Sequence, residues 1–514
     1  MEKFYQYETA QWTVKGKIPE DSLACVDIRG IFRFGGESTS EEVYGFYAED
    51  GTYIIRFYPG KCGIYHCRIE GNDIDETQEF DFECLPKRQG KRGMVRADGT
   101  HFKTDDGQWF YPFGTTVYAL IHQDDSLVAR TLQSLKAAPF NKIRICVFPK
   151  HFEYNHNEPP CFPFERAGDG SWDVNRPAAA YWERLEGCIK SLDELGIQCD
   201  LILFHSYDRW GFSELPVDDA LVYLDYVVRR LGAFANVWWS LANEFDLMKY
   251  KQEDWELFAH FIHEKDPYGH LLSCHQMLRE WDYSNKDTTH ICTQTSDLEL
   301  LSRKIKKYSK PLMVDECGYE GNLTISWGNL SAFGLVHRFW TVCVQGGYCT
   351  HGETFFSEDE VIWWAKGGRL KGQSPERIGF LKGILEEIGG PLEYAGLDFD
   401  RESFNKTMSH LTPEMIEKNE ILMLFSHYTW EDIEKNPAFA REYIGRYGDK
   451  AFLKYYGRQC PYLGMLALPE DKKYKVEAID VWEMKRWTVL EEASGEVFFE
   501  LPSKEGMAVL AVRI

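Results

Sequence analysis

The stretch Val237–Asp246, which reads VWWSLANEFD, is an apolar run that ends abruptly in an amide and a carboxylate. Continuous apolar runs of this kind are typical of parallel strands that are buried on both faces. In barrels built from such strands, catalytic groups lie at the carboxyl ends of the strands. Glu244, which directly follows the apolar run, is therefore the first candidate for a catalytic residue.

A second stretch, Lys310–Gly318 (KPLMVDECG), has the same pattern and carries Glu316 at its polar end. Two carboxyl groups at the ends of two strands are what glycoside hydrolysis requires, one to protonate the leaving oxygen and one to act from the opposite side of the sugar. The pair thus indicates hydrolysis of glycosidic bonds. The alternative is that both are surface glutamates that merely follow buried strands.

Composition limits the classes of partner. The formal net charge of −23 disfavours nucleic acid or an anionic membrane surface, because both bind basic protein surfaces. Aromatic residues make up 15% of the chain, so several rings could stack on sugars in addition to filling cores. The chain has no apolar N-terminal segment and no run of 18 apolar residues, so we expect a cytoplasmic protein, although a chain stripped of its leader would look the same.

The 14 cysteines are scattered without a CxxC pair, which predicts reduced thiols rather than disulfides. The sequence contains no HExxH motif and no cluster of carboxylate and histidine ligands, so we predict no metal and no cofactor. A barrel lyase or aldolase would need a Schiff-base lysine. Lys150, which follows the second predicted barrel strand, is a poor candidate because its neighbours are polar and expected to face solvent.

The sequence pattern predicts three domains. Residues 1–93 show short alternating strands and predict an N-terminal β-sandwich. Residues 94–391 alternate strands with long helical patterns, and eight such units predict a (β/α)8 barrel, the TIM-barrel form of the α/β class. Residues 392–514 return to strand patterns, among them Glu420–Phe425, and predict a C-terminal β-sandwich.

The predicted barrel strands place both glutamates at the same end of the barrel. Glu244 follows strand 4 and Glu316 closes strand 7, where this fold collects its catalytic groups. The eight predicted strands are Trp109–Ala119, Lys142–Phe148, Gln198–His205, Asn236–Leu241, His270–His275, Thr289–Thr293, Lys310–Asp315 and Gly346–Thr350.

The motifs Asn243–Glu244 and Asp315–Glu316 resemble those of clan A retaining glycoside hydrolases at strands 4 and 7. With the flanking sandwiches and the strand-1 phrase Tyr111–Thr116 (YPFGTT), the chain resembles more closely the apiosidase-like branch of bacterial glycosidases. The resemblance implies a two-glutamate double displacement. In it, Glu244 is the general acid and base and Glu316 is the nucleophile.

The resemblance also implies roles for two neighbours of the glutamates. Asn243 would bind the sugar hydroxyl next to the reacting carbon; the alternative is a strand-end cap of the following helix. Arg144 matches the clan's strand-2 arginine. A buried guanidinium needs a carboxylate, so we expect Arg144 to pair with Glu316 and hold it ionised, or else to form a structural ion pair elsewhere in the barrel.

Other polar and aromatic residues at predicted strand ends are candidates for sugar binding. His205 and His275 could bind hydroxyl groups or could be core histidines. Glu353, after strand 8, could hold a pair of hydroxyls or could itself be the nucleophile. Trp210 and Trp363 could stack on sugar faces or could only anchor their loops.

One position departs from the clan's pattern. Many members place a tyrosine near strand 6 to hydrogen-bond the nucleophile, whereas residues 289–295 (THICTQT) contain none. Gln294 or His290 could take over that role, or the predicted strand 6 is misplaced.

These observations predict an exo-acting hydrolase that releases a terminal sugar from a small oligosaccharide or glycoside. The long loops Pro149–Asp173 and Ser206–Asp218, together with the N-terminal sandwich, are expected to wall the barrel mouth into a pocket. The alternatives are an endo-acting polysaccharide hydrolase of the mannanase or glucanase kind, or a catalytically weak carbohydrate-binding barrel. The sequence leaves the oligomeric state open.

Overall fold

A computed structural model of the protein describes residues 1–396, 401–434 and 442–514. Eight parallel strands form a nearly closed barrel, which confirms the predicted TIM-barrel fold. They are β1 (Phe113–Thr116), β2 (Lys142–Cys146), β3 (Gln198–His205), β4 (Val237–Asn243), β5 (Leu272–Ser273), β6 (Ile291–Gln294), β7 (Leu312–Glu316) and β8 (Tyr348–His351).

The barrel strands are hydrogen-bonded in the circular order β5-β4-β3-β2-β1-β8-β7-β6. Every residue of β3 and β4 is buried, as expected for apolar runs covered on both faces. Regular pairing stops between β5 and β6. There the Thr289 N–H donates to the Leu272 carbonyl at 2.8 Å, and Ser273 Oγ donates to the His290 carbonyl at 2.7 Å, so local hydrogen bonds bridge the gap.

Helices surround the barrel at most crossovers. Asp124 caps the first of them, because its Oδ1 accepts from the Leu127 N–H at 3.0 Å. Residues 274–290, all described by the structure, contain no helix, which makes the connection from β5 to β6 irregular. The helices are α1 (Asp125–Ala137), α2 (Ala179–Glu194), α3 (Val217–Leu231), α4 (Gln252–Lys265), α5 (Leu301–Tyr308), α6 (Ala332–Val344), α7 (Trp363–Lys366) and α8 (Ser374–Ile388).

The predicted first strand, Trp109–Ala119, is wrong in its extent. Trp109–Phe110 belongs instead to a small antiparallel sheet with Val95–Asp98 and His101–Thr104, and only Phe113–Thr116 lies in the barrel. Pro112 separates the two segments because proline has no N–H to continue a ladder.

The small sheet covers the amino-terminal end of the barrel. The Phe102 ring packs 5.5 Å from Trp238 and 5.6 Å from Tyr348, which lie near the starts of β4 and β8. The opposite, carboxyl end of the strands is therefore the end available for a site.

The N-terminal region forms two facing sheets of five and three strands. Aromatic rings fill the space between them: Phe32 stacks on Phe57 at 4.1 Å and Tyr65 on Phe82 at 4.9 Å. The strands are Glu2–Tyr5, Ala10–Lys15, Arg29–Phe34, Glu41–Tyr44, Phe46–Tyr47, Thr52–Phe57, Gly63–Glu70 and Gln78–Leu85.

Buried ion pairs fasten these sheets to the outside of the barrel. Arg56 donates to both carboxylate oxygens of Glu186 on α2, at 2.9 and 2.7 Å, and to the main-chain carbonyl of Arg230 on α3 at 2.7 Å. The Arg56 side chain is only 3% exposed, and the Glu186 carboxylate compensates its buried positive charge.

The C-terminal region contains a six-stranded sheet and a two-stranded sheet. The predicted strand Glu420–Phe425 is wrong, because this segment is a helix. The Asn419 side chain accepts from the Leu422 N–H at 3.2 Å as an N-cap, which favours the start of a helix at this point. The strands are Glu393–Tyr394, Tyr443–Tyr447, Ala451–Tyr455, Leu463–Ala467, Tyr474–Asp480, Lys485–Ala493, Glu496–Glu500 and Met507–Arg513.

Three further short helices accompany Glu420–Phe425: Arg401–His410, Pro413–Lys418 and Trp430–Glu434.

By its internal contacts the chain divides into two compact units. The first comprises Met1–Ser296, Ile305–Leu335 and Tyr348–Lys382, and the second Asp297–Lys304, Val336–Gly347 and Gly383–Ile514. The boundaries at residues 93 and 391 stay a prediction. None of the described helices is long and apolar enough to cross a membrane.

Candidate active site

The two glutamates lie at the carboxyl ends of their strands. Glu316 is the last residue of β7. Glu244 directly follows β4 with a φ of 57°, a left-handed conformation that is uncommon for residues other than glycine and is often found at functional sites. Both side chains are largely buried, Glu244 with 5% of its surface exposed and the Glu316 side chain with 13%.

Glu316 lies among hydrogen-bond donors and positive charge. Tyr118 Oη donates to its Oε1. Arg144 Nη1 lies 3.4 Å from the same oxygen, and His275 Nε2 lies 4.0 Å away. Because each of these groups favours the carboxylate over the acid, the surroundings stabilise an ionised Glu316.

The pKa of Glu316 lies below its usual range. Burial on its own would raise this pKa, but the charge of Arg144 and the hydrogen bond from Tyr118 outweigh it. Burial lowers the pKa of His275 to about 4, so its ring is neutral at neutral pH. Arg144 and Tyr118 are then the groups that keep Glu316 ionised.

Glu244 has different surroundings. Tyr207 Oη donates to its Oε2, Asn243 Nδ2 lies 3.2 Å from the same oxygen, and the side chain of Gln294 hydrogen-bonds it as well. Burial, followed by the charge of Glu316, nevertheless raises the pKa of Glu244 above its usual range. The two carboxyl groups are therefore displaced in opposite directions, one towards the acid and the other towards the anion.

Asn243 connects the two halves of the site. Its Oδ1 accepts from Arg144 Nη2 at 3.0 Å and lies 3.1 Å from Tyr118 Oη, while its Nδ2 faces Glu244. The amide orientation is thus fixed by the same two groups that hold Glu316. The structure brings together the predicted residues Glu244, Glu316, Arg144, Asn243 and His275.

A buried layer of charges lies beneath the glutamates. Lys142 Nζ bonds Asp200 at 2.6 Å and Asp315 at 2.7 Å, and Arg144 Nε lies 4.0 Å from Asp200. Thr350 Oγ1 donates to Asp315 at 2.6 Å. Although burial opposes it, Lys142 lowers the pKa of Asp315, so this residue remains an anion that balances the buried cations.

A tyrosine that follows another strand takes the place of the tyrosine that is missing from strand 6. Tyr118, which follows β1, contacts the nucleophile candidate. Gln294 closes β6 beside Glu316 in the strand register, but its side chain hydrogen-bonds Glu244. His290 packs 5.6 Å from Trp238 near the amino-terminal end of the barrel. Tyr118 was missed because the predicted first strand ran through it to Ala119.

Lys150 is buried, although the residues beside it in the chain were expected to face solvent. The residue is only 4% exposed. Its Nζ lies 3.5 Å from the ring centre of Tyr118, 4.2 Å from Tyr207 and 5.1 Å from Trp364. Aromatic faces line this ammonium group on several sides.

Two predicted sugar-binding residues, His205 and Glu353, have partners within the protein. His205 is buried with Nε2 3.0 Å from the Phe148 carbonyl, and burial lowers its pKa to about 4, which favours the core-histidine alternative. The Glu353 carboxylate accepts from the N–H groups of Lys371 at 2.7 Å and Gly372 at 2.9 Å, so it fastens the loop before α8. Its role towards a sugar stays a prediction.

The two predicted stacking tryptophans differ. Trp363 is 2% exposed and its Nε1 donates to Thr115 Oγ1 at 2.8 Å, which favours the alternative that the ring only anchors its segment. Trp210 is half-buried, and its Nε1 donates to Glu158 at 2.9 Å. Its stacking role stays a prediction.

The loops after β2 and β3 are joined along one side of the site. The His151 N–H donates to the Tyr207 carbonyl at 2.8 Å, and Trp172 Nε1 donates to the Trp210 carbonyl at 2.7 Å. The N-terminal region contacts the segment that follows the β2 loop, where the Leu23 N–H donates to the Asn175 carbonyl at 2.7 Å. Among the described residues, no group of three His, Cys, Asp or Glu side chains could hold a metal ion.

The fold and site can be compared with known proteins. The family model described as "Apiosidase-like, catalytic domain" matches residues 96–373. The chain belongs to the apiosidase-like family. It is a glycoside hydrolase, since the model of that family's catalytic domain covers the barrel. A second model, a domain of unknown function (DUF5605), matches residues 441–513.

Two solved structures show the extent of the similarity. A protein of Bacteroides vulgatus ATCC 8482, provisionally described as a glycoside hydrolase, is 31% identical with a TM-score of 0.85, and the alignment covers 100% of both chains. A family 5 glycoside hydrolase of the same strain is 15% identical with a TM-score of 0.58, covering 82% of this chain and 94% of the other. The latter supports the fold alone. No curated protein matches the chain.

Proposed function

We propose that the protein is a retaining, exo-acting glycosidase of clan A type that uses Glu316 as nucleophile and Glu244 as general acid and base. The observation that carries the proposal is the pair of largely buried carboxyl groups at the ends of β4 and β7. Glu316 accepts from Tyr118 and lies 3.4 Å from Arg144, whereas Glu244 accepts from Tyr207 and has a raised pKa. A retaining mechanism needs one ionised carboxylate and one protonated carboxyl group on the same site at the start of the reaction.

In the first step, the Glu316 carboxylate attacks the anomeric carbon while the bond to the leaving oxygen breaks. Glu244 gives its proton to that oxygen, and a glycosyl ester forms on Glu316. Arg144 and Tyr118 orient the attacking carboxylate. The Nδ2 group of Asn243 has a second hydrogen beyond its contact with Glu244, and this hydrogen is the donor for the neighbouring sugar hydroxyl.

At the start of the second step, Glu316 is a neutral ester and carries no negative charge. The repulsion that raised the pKa of Glu244 is gone, so Glu244 remains ionised after donating its proton and can accept one from water. The water oxygen bonds to the anomeric carbon, the ester bond breaks and Glu316 becomes a carboxylate again. Two inversions give net retention.

Retention of configuration is the first expected outcome. Proton NMR of the first-formed product from a nitrophenyl glycoside should show the anomer of the substrate, before mutarotation mixes the two forms. A panel that includes furanosides identifies a usable substrate. An inverted first product would require a water between the carboxyl groups and would refute the double displacement.

Release of single sugars is the second expected outcome. The joined loops after β2 and β3 wall one side of the mouth, which supports a pocket that accepts a chain end. Incubation with xylan, mannan or β-glucan, followed by sizing of the products, should give no mid-length oligosaccharides, whereas short glycosides should lose terminal sugars. A ladder of mid-length products would instead establish the endo-acting alternative.

A further inference from the structure

Lys150 is a buried cation at the site to which the proposed mechanism gives no role. It follows β2 and is 4% exposed. Within the described part of the chain, its ammonium group donates a hydrogen bond to no side chain or carbonyl. Burying an unpaired charge is costly, so such a group persists where nearby aromatic faces or anions compensate it.

The compensating groups are arranged around both glutamates. Lys150 Nζ lies 3.5 Å from the centre of the Tyr118 ring and 4.2 Å from that of the Tyr207 ring. Tyr118 donates its hydroxyl to Glu316, and Tyr207 donates its hydroxyl to Glu244. The lysine thus contacts the faces of the two rings whose hydroxyl groups hold the two carboxyl groups.

We propose that Lys150 is a positioning residue that serves as one shared counter-charge for Glu244 and Glu316 throughout the catalytic cycle. The inference rests on the proposed function, since it concerns the same two glutamates. Lys150 is paired with both glutamates together rather than with one of them. Its ammonium group lies over the ring of the tyrosine that hydrogen-bonds each carboxyl group.

The charge of the pair explains why one cation suffices. Before attack, Glu316 is ionised and Glu244 carries its proton. In the glycosyl ester, Glu316 is neutral and Glu244 has lost the proton. The pair therefore holds one negative charge in both states, and this charge moves from one end of the site to the other while Lys150 stays in place.

The other charged and titratable groups around Lys150 do not change state near neutral pH. Burial raises the pKa of the Tyr118 and Tyr207 hydroxyls and raises the pKa of the Cys146 thiol to about 12, so all three remain neutral. His205 is neutral because its pKa is lowered to about 4, and Arg144 stays positive. Burial lowers the pKa of Lys150 itself. Burial, followed by the charge of Arg209, lowers the pKa of His151, the next residue along the chain, so its ring is neutral at neutral pH. Of these groups, the two glutamates, His151 at acidic pH and Lys150 at higher pH can shape the pH profile.

The test is the pH dependence of kcat/KM in a Lys150→Met variant, which keeps the length of the side chain and removes the charge. Without the cation, both carboxyl pKa values rise, so the acidic limb and the basic limb both move to higher pH, by roughly one unit each. A Lys150→Arg variant keeps the positive charge and should retain both limbs near their original positions. Lys249→Met removes a lysine whose side chain is 77% exposed and should change neither limb.

Two outcomes would overturn the inference. A raised KM with unmoved limbs would show that Lys150 instead donates to the substrate, and movement of one limb alone would show that it serves a single glutamate. Thermal unfolding of each variant, measured at the pH of the assay, verifies that the proteins compared are folded.

A second measurement needs no turnover. Unfolding free energies of Lys150→Met, of Glu316→Gln and of the double variant form a thermodynamic cycle at neutral pH. We expect a favourable coupling that disappears below the pKa of Glu316, and absence of coupling at neutral pH would contradict the counter-charge. If the wild-type enzyme inverts configuration while the coupling is present, the proposed mechanism fails and the counter-charge stands.

Discussion

Replacement of Glu316 by alanine should reduce kcat by on the order of 10⁵-fold on every glycoside, including those with activated leaving groups. The reason is that no glycosyl ester can form without the carboxylate at the end of β7. Neighbouring groups cannot replace it, since Arg144 and Tyr118 are donors in this arrangement rather than nucleophiles. Initial rates with a dinitrophenyl glycoside give the most sensitive measurement.

The matched control for this variant is Glu353→Ala. Glu353 is also a buried glutamate that follows a barrel strand, but its oxygens accept from the N–H groups of Lys371 and Gly372. Its removal should lower the melting temperature by loosening the loop before α8. Loss of its predicted contact with sugar hydroxyls should raise KM, but glycosyl ester formation on Glu316 should persist. The reverse result, an active Glu316 variant and an inactive Glu353 variant, would assign the nucleophile to Glu353.

The barrel could be predicted because its strands are buried on both faces. β3 and β4 are continuous apolar runs with a polar end, so both the strand and its carboxyl terminus are visible in the sequence. β5 has only two residues, too few to give a clear strand pattern in the sequence. The predicted first strand was too long because Pro112 interrupts the ladder. The segment Glu420–Phe425 was predicted as a strand from its apolar composition, but the Asn419 cap favours a helix there.

The site could be predicted only where a residue stands at a strand end. Glu244, Glu316, Asn243 and Arg144 satisfy that condition. Tyr118 did not, because its contact with Glu316 joins positions 198 residues apart and depends on where β1 ends.

Lys150 illustrates a second limit of sequence reasoning. Its polar neighbours indicated exposure, whereas the rings that enclose it come from several separate loops. Burial of a charge is a property of these tertiary neighbours, and the residues beside it in the chain do not reveal them.

Replacement of Glu244 by alanine should have an effect that depends on the leaving group. Glycosides with poor leaving groups need the proton and should lose about 10³-fold in kcat/KM, whereas a dinitrophenyl glycoside leaves without it and should be attacked at a nearly unchanged rate. Turnover should still be slow, because without Glu244 no base activates water in the second step. The rates of both substrate classes, compared with those of the wild type, measure this difference.

Azide distinguishes this role from mere damage to the site. As an anion that needs no general base, it should attack the glycosyl ester, restore turnover of the dinitrophenyl glycoside and give a glycosyl azide of retained configuration. The basic limb of the pH profile should also disappear, because activity that requires protonated Glu244 falls as the pH rises through its raised pKa, and the variant has no such group. Equal loss on all substrates without rescue would mean that Glu244 is not the acid. Tyr207, which donates to the same carboxyl group, would then be the next candidate for the general acid.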